Sequence, residues 1–188
     1  GILAAAGIIS RIIGLLYRSP LAAIIGDEGN GYYSSAYNIY TIILLVSSYS
    51  IPSAISKVIS QRLALKEYKN AHRIFQCALI YVFIVGGAAS LFAYFGASHL
   101  VQKNAVVVLR VFAPTIFFSG ILGVLRGYFQ AHKSMLQTSV SQIAEQILNA
   151  VISLTAAHLL IGLVAGQDDT TRAVYGAMGS ALGTGAGV

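Results

Sequence analysis

Two arginines, Arg11 and Arg18, stand inside the apolar run GIISRIIGLLYRSPLAAIIG at residues 7–26. Seven residues is nearly two turns of helix, so both guanidinium groups fall on one face. At the centre of a bilayer each would cost about 2.5–3.5 kcal/mol even on the lenient insertion scale. Such a pair is tolerable where wet space lies beside the helix, and there it can attract an anion. Snorkelling to the interface serves Arg18, which has Pro20 close behind it, but it serves Arg11 badly, because Arg11 lies about 14 Å of helix from Ile2. A second constellation occupies TSVSQIAEQILNAVIS at 138–153. Gln142, Glu145, Gln146, Asn149 and Ser153 recur as i, i+3, i+4, i+7 and i+11, one polar stripe on an otherwise apolar helix. Polar groups facing lipid go unsatisfied, so the stripe faces either protein, as a hydrogen-bonded seam, or a wet cavity.

The elements that must carry these residues follow from composition. The chain has 188 residues, is 56% hydrophobic and only 10% charged, and has a mean hydropathy of +0.75. Soluble domains carry about a quarter charged residues; a tenth cannot cover a soluble surface of this size. An all-α, polytopic transmembrane helix bundle is expected. Six apolar segments are separated by short polar breaks, at about 2–25, 32–66, 71–95, 105–129, 136–161 and 173–188. Each of the first five is long enough to span a bilayer as a helix, and all are too long for membrane strands. The sixth is too short to span and is expected to be an incomplete helix, with residues 1–188 as one N-terminal lobe of a longer protein. Pro52, inside the second segment, removes a backbone hydrogen bond and is expected to kink that helix, a candidate hinge. A cleavable signal peptide fits poorly, because Arg11 and Arg18 interrupt its apolar region.

The net charge of +6 raises the question of nucleic acid, but its distribution answers otherwise. Lys57, Arg62, Lys66, Lys69, Arg73, Arg126 and Lys133 flank the second and fourth connections, whereas Lys103, Arg110 and Arg172 sit at the opposite end. Seven against three places the second and fourth connections, and the N-terminus, in the cytoplasm. From that side Arg11 and Glu145 enter to similar depth, and they are expected to meet, directly or through water. Arg110 and Arg126, about 24 Å apart on one helix, are read as interfacial anchors. Tyr33, Tyr37 and Tyr40 are read first as an interfacial aromatic belt, with stacking on a sugar second. Gly179, Gly183 and Gly187 at four-residue spacing, like Gly123 and Gly127, are read as close helix packing.

Chemistry of other kinds is not encoded. There is no HExxH, no P-loop and no GxSxG elbow, and the four histidines are scattered. Cys77 is the single cysteine, read as a small buried hydrophobe, so neither a disulfide nor a thiolate metal site is expected. The chain reads as non-catalytic, with no cofactor and no metal.

Three stretches carry a family resemblance: SRIIGLLYRSPLAAIIG, YNIYTIILLVSSYSIPSAISKVISQ and LRGYFQAHKSMLQTSVSQIAEQ. Together they resemble the N-terminal half of polysaccharide-type flippases of the multidrug/oligosaccharidyl-lipid/polysaccharide exporter superfamily, nearest the stage V sporulation protein B group and related to lipid II flippases. In the third stretch Arg126, Gly127, Gln130, Met135, Ser141, Gln142, Glu145 and Gln146 follow the pattern. The resemblance implies two six-helix lobes around a V-shaped cavity, this chain being the first lobe. It implies movement of undecaprenyl-linked sugars or peptidoglycan precursors from inner to outer leaflet by alternating access, in a bacterial plasma membrane. It also implies that Arg11, in an S-R-x-x-G pattern, lies in the cavity; Arg18 stands one residue later than its counterpart. On this reading Arg11 and Arg18 attract an anionic diphosphate, and Gln142, Glu145, Gln146 and Asn149 bind sugar or orient the arginines. The partners are then a lipid-linked anionic sugar, the bilayer and a C-terminal lobe. Two alternatives stay open: a cation-coupled multidrug exporter on the same fold, and a membrane scaffold for cell-wall synthesis without transport.

Overall fold

The computed structural model describes all of residues 1–188 and contains helices but no strand. They are α1 (Ile2–Ser47), α2 (Ile51–Ala64), α3 (Tyr68–Leu100), α4 (Val106–Ala131), α5 (Met135–Leu163) and α6 (Asp169–Gly187), with a single 3-10 turn at Lys103–Ala105. Four helical stretches, the first running from Ile2 to Ala64, are long and apolar enough to cross a membrane. The protein is a multi-pass membrane protein. Its outward surface fits that solvent: Leu16, Val46, Phe83, Ile84 and Phe95 are all exposed, and in lipid such side chains cost nothing. Cys77 is exposed as well, not buried as expected.

α1 is two limbs in one helix. Gly26, at φ 71° and ψ 174°, breaks the helical backbone between them, a conformation open to glycine and strained for any residue with a Cβ. The limbs, 2–25 and 27–47, face one another across a cleft bordered by Tyr17, Leu21, Gly31 and Tyr37. The expected single segment from 32 to 66 is therefore divided. Its break falls at Ser48–Ser50, and Pro52 stands in the first turn of α2. There its missing N–H has no intrahelical partner to lose. Pro52 does not kink a continuous helix; the chain has already turned before it.

α4 is the central helix. Val108, Leu109, Phe112 and Ile116 are fully buried in the main core, together with Ala36 and Tyr40 of α1 and Ala177 and Ala181 of α6. Small residues set the closest approaches. A Cβ built on Gly127 would lie 2.7 Å from the Pro52 carbonyl oxygen, so α2 rests directly on α4. On α6, a Cβ at Gly179 or Gly183 would run into the backbone of Ala157 or Ser153, and one at Gly187 would lie 2.7 Å from the Glu145 carbonyl oxygen. α5 and α6 therefore touch backbone to backbone over most of their shared length, as the glycine spacing suggested.

The α2–α3 and α4–α5 connections end their helices in the same way. Lys66 N–H donates to Leu63 O and Glu67 N–H to Arg62 O; Lys133 N–H donates to Gln130 O and Ser134 N–H to Phe129 O. Both are Schellman caps, and both place a lysine in the left-handed region, at φ 58° and 59°.

Candidate functional site

A cavity of about 750 Å³ opens between α1, the start of α2, α4, α5 and the end of α6. Its charged lining is Arg11, Arg18, Arg126 and Glu145. Three guanidinium groups against one carboxylate leave a net charge of +2 (3 − 1). The helix geometry explains why Arg11 and Arg18 arrive together: both lie on the face of the first limb that meets α5. Gly14, between them, packs against α5, and a Cβ there would sit 3.5 Å from Gln146 Oε1.

Arg126 is turned inward, contrary to the reading of it as an interfacial anchor. Its Nη2 donates to Glu145 Oε2 at 2.6 Å and to Ser141 Oγ at 2.8 Å, and its Nε donates to Ser141 Oγ at 3.2 Å. The pair is mostly shielded, with side-chain exposures of 18% and 24%. α4 and α5 form a hairpin with a short connection, so an arginine near the end of one helix reaches a carboxylate ten residues into the next. This changes the expectation for Arg11. It lines the same cavity as Glu145, but the carboxylate belongs to Arg126, and Arg11 and Arg18 take part in none of the chain's three ion pairs. Two of the three cationic groups are thus uncommitted. Arg110 does fit an anchor: it is exposed, its guanidinium carbon 5.4 Å from the centroid of the Tyr94 ring.

The polar stripe of α5 divides between two environments. Glu145, Gln146 and Asn149 reach the cavity. Ser153 lies in the seam with α6, donating to Asn149 Oδ1 at 2.9 Å and to Ser180 O at 3.2 Å. Gln142 does not line the cavity, and its Oε1 is buried without a protein partner. Pro52 borders the cavity at the α1–α2 break.

Tyrosines complete the wall. Tyr33, Tyr37 and Tyr40 line the cavity and cluster on Phe112, with Tyr40 and Phe112 stacked at 4.8 Å and Tyr33 and Tyr37 stacked at 5.7 Å. They are an inner wall, not an aromatic belt. Tyr17, unremarked in the sequence, faces the cavity one position before Arg18. The periodicity of a stripe says that its members share a face, not which face that is, so the tyrosines gave no warning of their direction.

The comparisons with known proteins agree with this architecture. The profile of the polysaccharide biosynthesis protein family matches residues 1–186. Three Bacillus subtilis proteins are similar. Lipid II flippase MurJ is 27% identical over 166 residues, 81% of this chain and 30% of its own length. Stage V sporulation protein B is 30% identical over 195 aligned positions, 99% of this chain and 35% of its own. The uncharacterized membrane protein YabM is 28% identical over 169 residues, 85% of this chain and 30% of its own. The chain thus spans about a third of the length of these relatives. No solved structure matches.

Proposed function

The chain belongs to the polysaccharide biosynthesis protein family, and from that premise we propose that it is the N-terminal lobe of a flippase for a lipid-linked anionic sugar. The observation that carries this reading is a cavity among membrane-spanning helices with a net charge of +2. A diphosphate that joins a prenyl chain to a sugar is anionic and must cross a layer that excludes charge. A hydrated cationic groove lowers that barrier while the prenyl tail stays in lipid. Arg11 and Arg18, free of carboxylates, attract the diphosphate. Arg126, neutralised by Glu145, holds the α4–α5 wall in place, and Gln146 and Asn149 offer hydrogen bonds beside it. Similarity to a lipid II flippase and to a stage V sporulation protein supports a peptidoglycan-type or related precursor.

A second lobe facing this cavity, in the two-thirds of the relatives' length not spanned here, would complete an alternating-access transporter whose halves rock about the site. The excess of Lys and Arg at the α2–α3 and α4–α5 connections supports an N-terminus on the cytoplasmic side of a bacterial plasma membrane. No step in this function breaks a covalent bond, so the protein is not an enzyme. A cation exporter would call for an acidic cavity, and a pure scaffold would call for none.

The test is flipping of a fluorescent undecaprenyl-diphosphate sugar by the full-length protein in liposomes, with Arg11→Ala and Glu145→Ala. Both variants are expected to slow transport at least tenfold. If both move substrate at the parent's rate, the site assignment fails.

A further inference from the structure

A second cleft, about 640 Å³, lies between the two limbs of α1. It adjoins the main cavity, because Tyr17, Arg18, Tyr33 and Tyr37 border both. The rest of its polar wall is Asn30, Ser34 and Asn38. These recur every four residues along the second limb and so share one face. The side-chain hydrogen bonds of this limb are made by Glu28, Tyr32, Tyr33, Thr41 and Ser47, not by these three. Asn38 is 12 residues beyond Gly26, about 18 Å along the helix and so well inside a hydrocarbon layer about 30 Å thick. An amide at that depth is costly unless water or a ligand satisfies it. Asn30, Ser34 and Asn38, in register along one cleft, form a row of hydrogen-bonding groups with no protein partner of their own, Asn38 the deepest of them.

The chemistry of the wall indicates what that is. Apart from Arg18 the cleft carries no charge, so it has little to hold a second anion. Its amides and hydroxyl both donate and accept, and the tyrosines offer ring faces. Neutral groups that alternate donors and acceptors, set beside aromatic faces, suit a polyhydroxylated ring. Arg18 stands where the two spaces meet, so an acidic group held there would place an attached neutral group in the cleft. We propose that the cleft between the α1 limbs is a subsite for the sugar portion of the substrate, joined at Arg18 to the diphosphate position of the main cavity. This rests on the lipid-linked reading above and adds to it a place for the uncharged part of the headgroup.

The experiment measures binding of two lipids to the full-length protein in nanodiscs: undecaprenyl diphosphate, and undecaprenyl diphosphate bearing N-acetylglucosamine. Asn38→Leu keeps the branched shape of the side chain and removes the amide; Asn30→Ala is the second variant, and neither residue makes a side-chain hydrogen bond that folding would miss. Each is expected to weaken the sugar-bearing lipid about 3- to 10-fold, the effect of one lost hydrogen bond, and to leave the bare diphosphate unchanged. Arg18→Gln is expected to weaken both lipids. If the parent binds both lipids and the asparagine variants bind them as the parent does, or lose both equally, the subsite is overturned and the transport reading stands. If the parent binds neither lipid, the reading and the subsite fall together.

Discussion

Glu145 is held by Arg126, at 2.6 Å, and not by Arg11, which lines the same cavity. The consequence is a division of labour among three like charges. One is paired on the α4–α5 wall, and two take part in no ion pair.

That division is measurable by a double-mutant cycle. Arg126→Ala and Glu145→Ala are each expected to destabilise the full-length protein by about 1.5–3 kcal/mol, the range for a hydrogen bond to a charged group. Because each single variant leaves the other ion without its partner, the double variant is expected to cost less than the sum of the two. Thermal unfolding in detergent reads this out, and strict additivity would show that the pair is not coupled.

Gly179 and Gly183 are expected to tolerate no side chain. A Cβ at either position would collide with α5 backbone, which cannot rotate away. Gly179→Ala is expected to cost about 1–3 kcal/mol, the usual penalty of overpacking, whereas Gly162→Ala, with open space around it, is expected to be near neutral. Melting temperatures of the two variants in the same detergent provide the comparison.

Lys66 and Lys133 occupy the left-handed cap position that glycine adopts without strain. Lys66→Gly and Lys133→Gly are each expected to raise stability by about 1 kcal/mol. Both substitutions also remove a positive charge from connections rich in Lys and Arg, so topology should be checked alongside by accessibility of an introduced cysteine. A fall in stability would mean that the lysine side chains contribute more than the backbone strain removes.

The α2–α3 connection should respond to acid. Asn70 and then Arg62 donate to the Glu67 carboxylate, at 2.9 and 3.0 Å, and hold its pKa below the usual value. A lowered folded-state pKa means that the stabilising contribution is fully present above the ordinary carboxylate range and is lost as pH falls through the lower, folded value. The mobility of a spin label at Lys69→Cys is therefore expected to stay constant from pH 7 to about 5 and to rise below about 4. Glu67→Gln should remove that acid transition.

Much of this architecture is legible in the residues, and the failures are instructive. Composition and apolar segment lengths point to a polytopic helix bundle, and the spacing of Arg11 with Arg18 and of Glu145 with Asn149 shows which groups share a face. Faces were misassigned where periodicity is silent about direction. Tyr33, Tyr37 and Tyr40 looked like a belt and are an inner wall. Arg126 lies near a helix end, where anchoring is the ordinary role, and only the α4–α5 hairpin shows that it reaches Glu145. Asn30, Ser34 and Asn38 carry the same kind of signature as the α5 stripe, but Asn30 falls in the polar break between the first two expected segments, which leaves only Ser34 and Asn38 inside an apolar run. Pro52 shows the opposite error, since a proline inside an apolar run was expected to bend a helix that had already ended at Ser47.

The backbone contact between α5 and α6 sets the size of any moving part in this lobe. With no side chains to slide over, the two helices shift only as one plank, and Glu145, Gln146 and Asn149 travel with it. Arg11 and Arg18 ride on the first limb of α1, which is seated on that plank through Gly14 against Gln146 and through Leu21 and Ile25 against Ala157. The uncommitted guanidiniums and the amides of α5 therefore travel together, their spacing held by this packing.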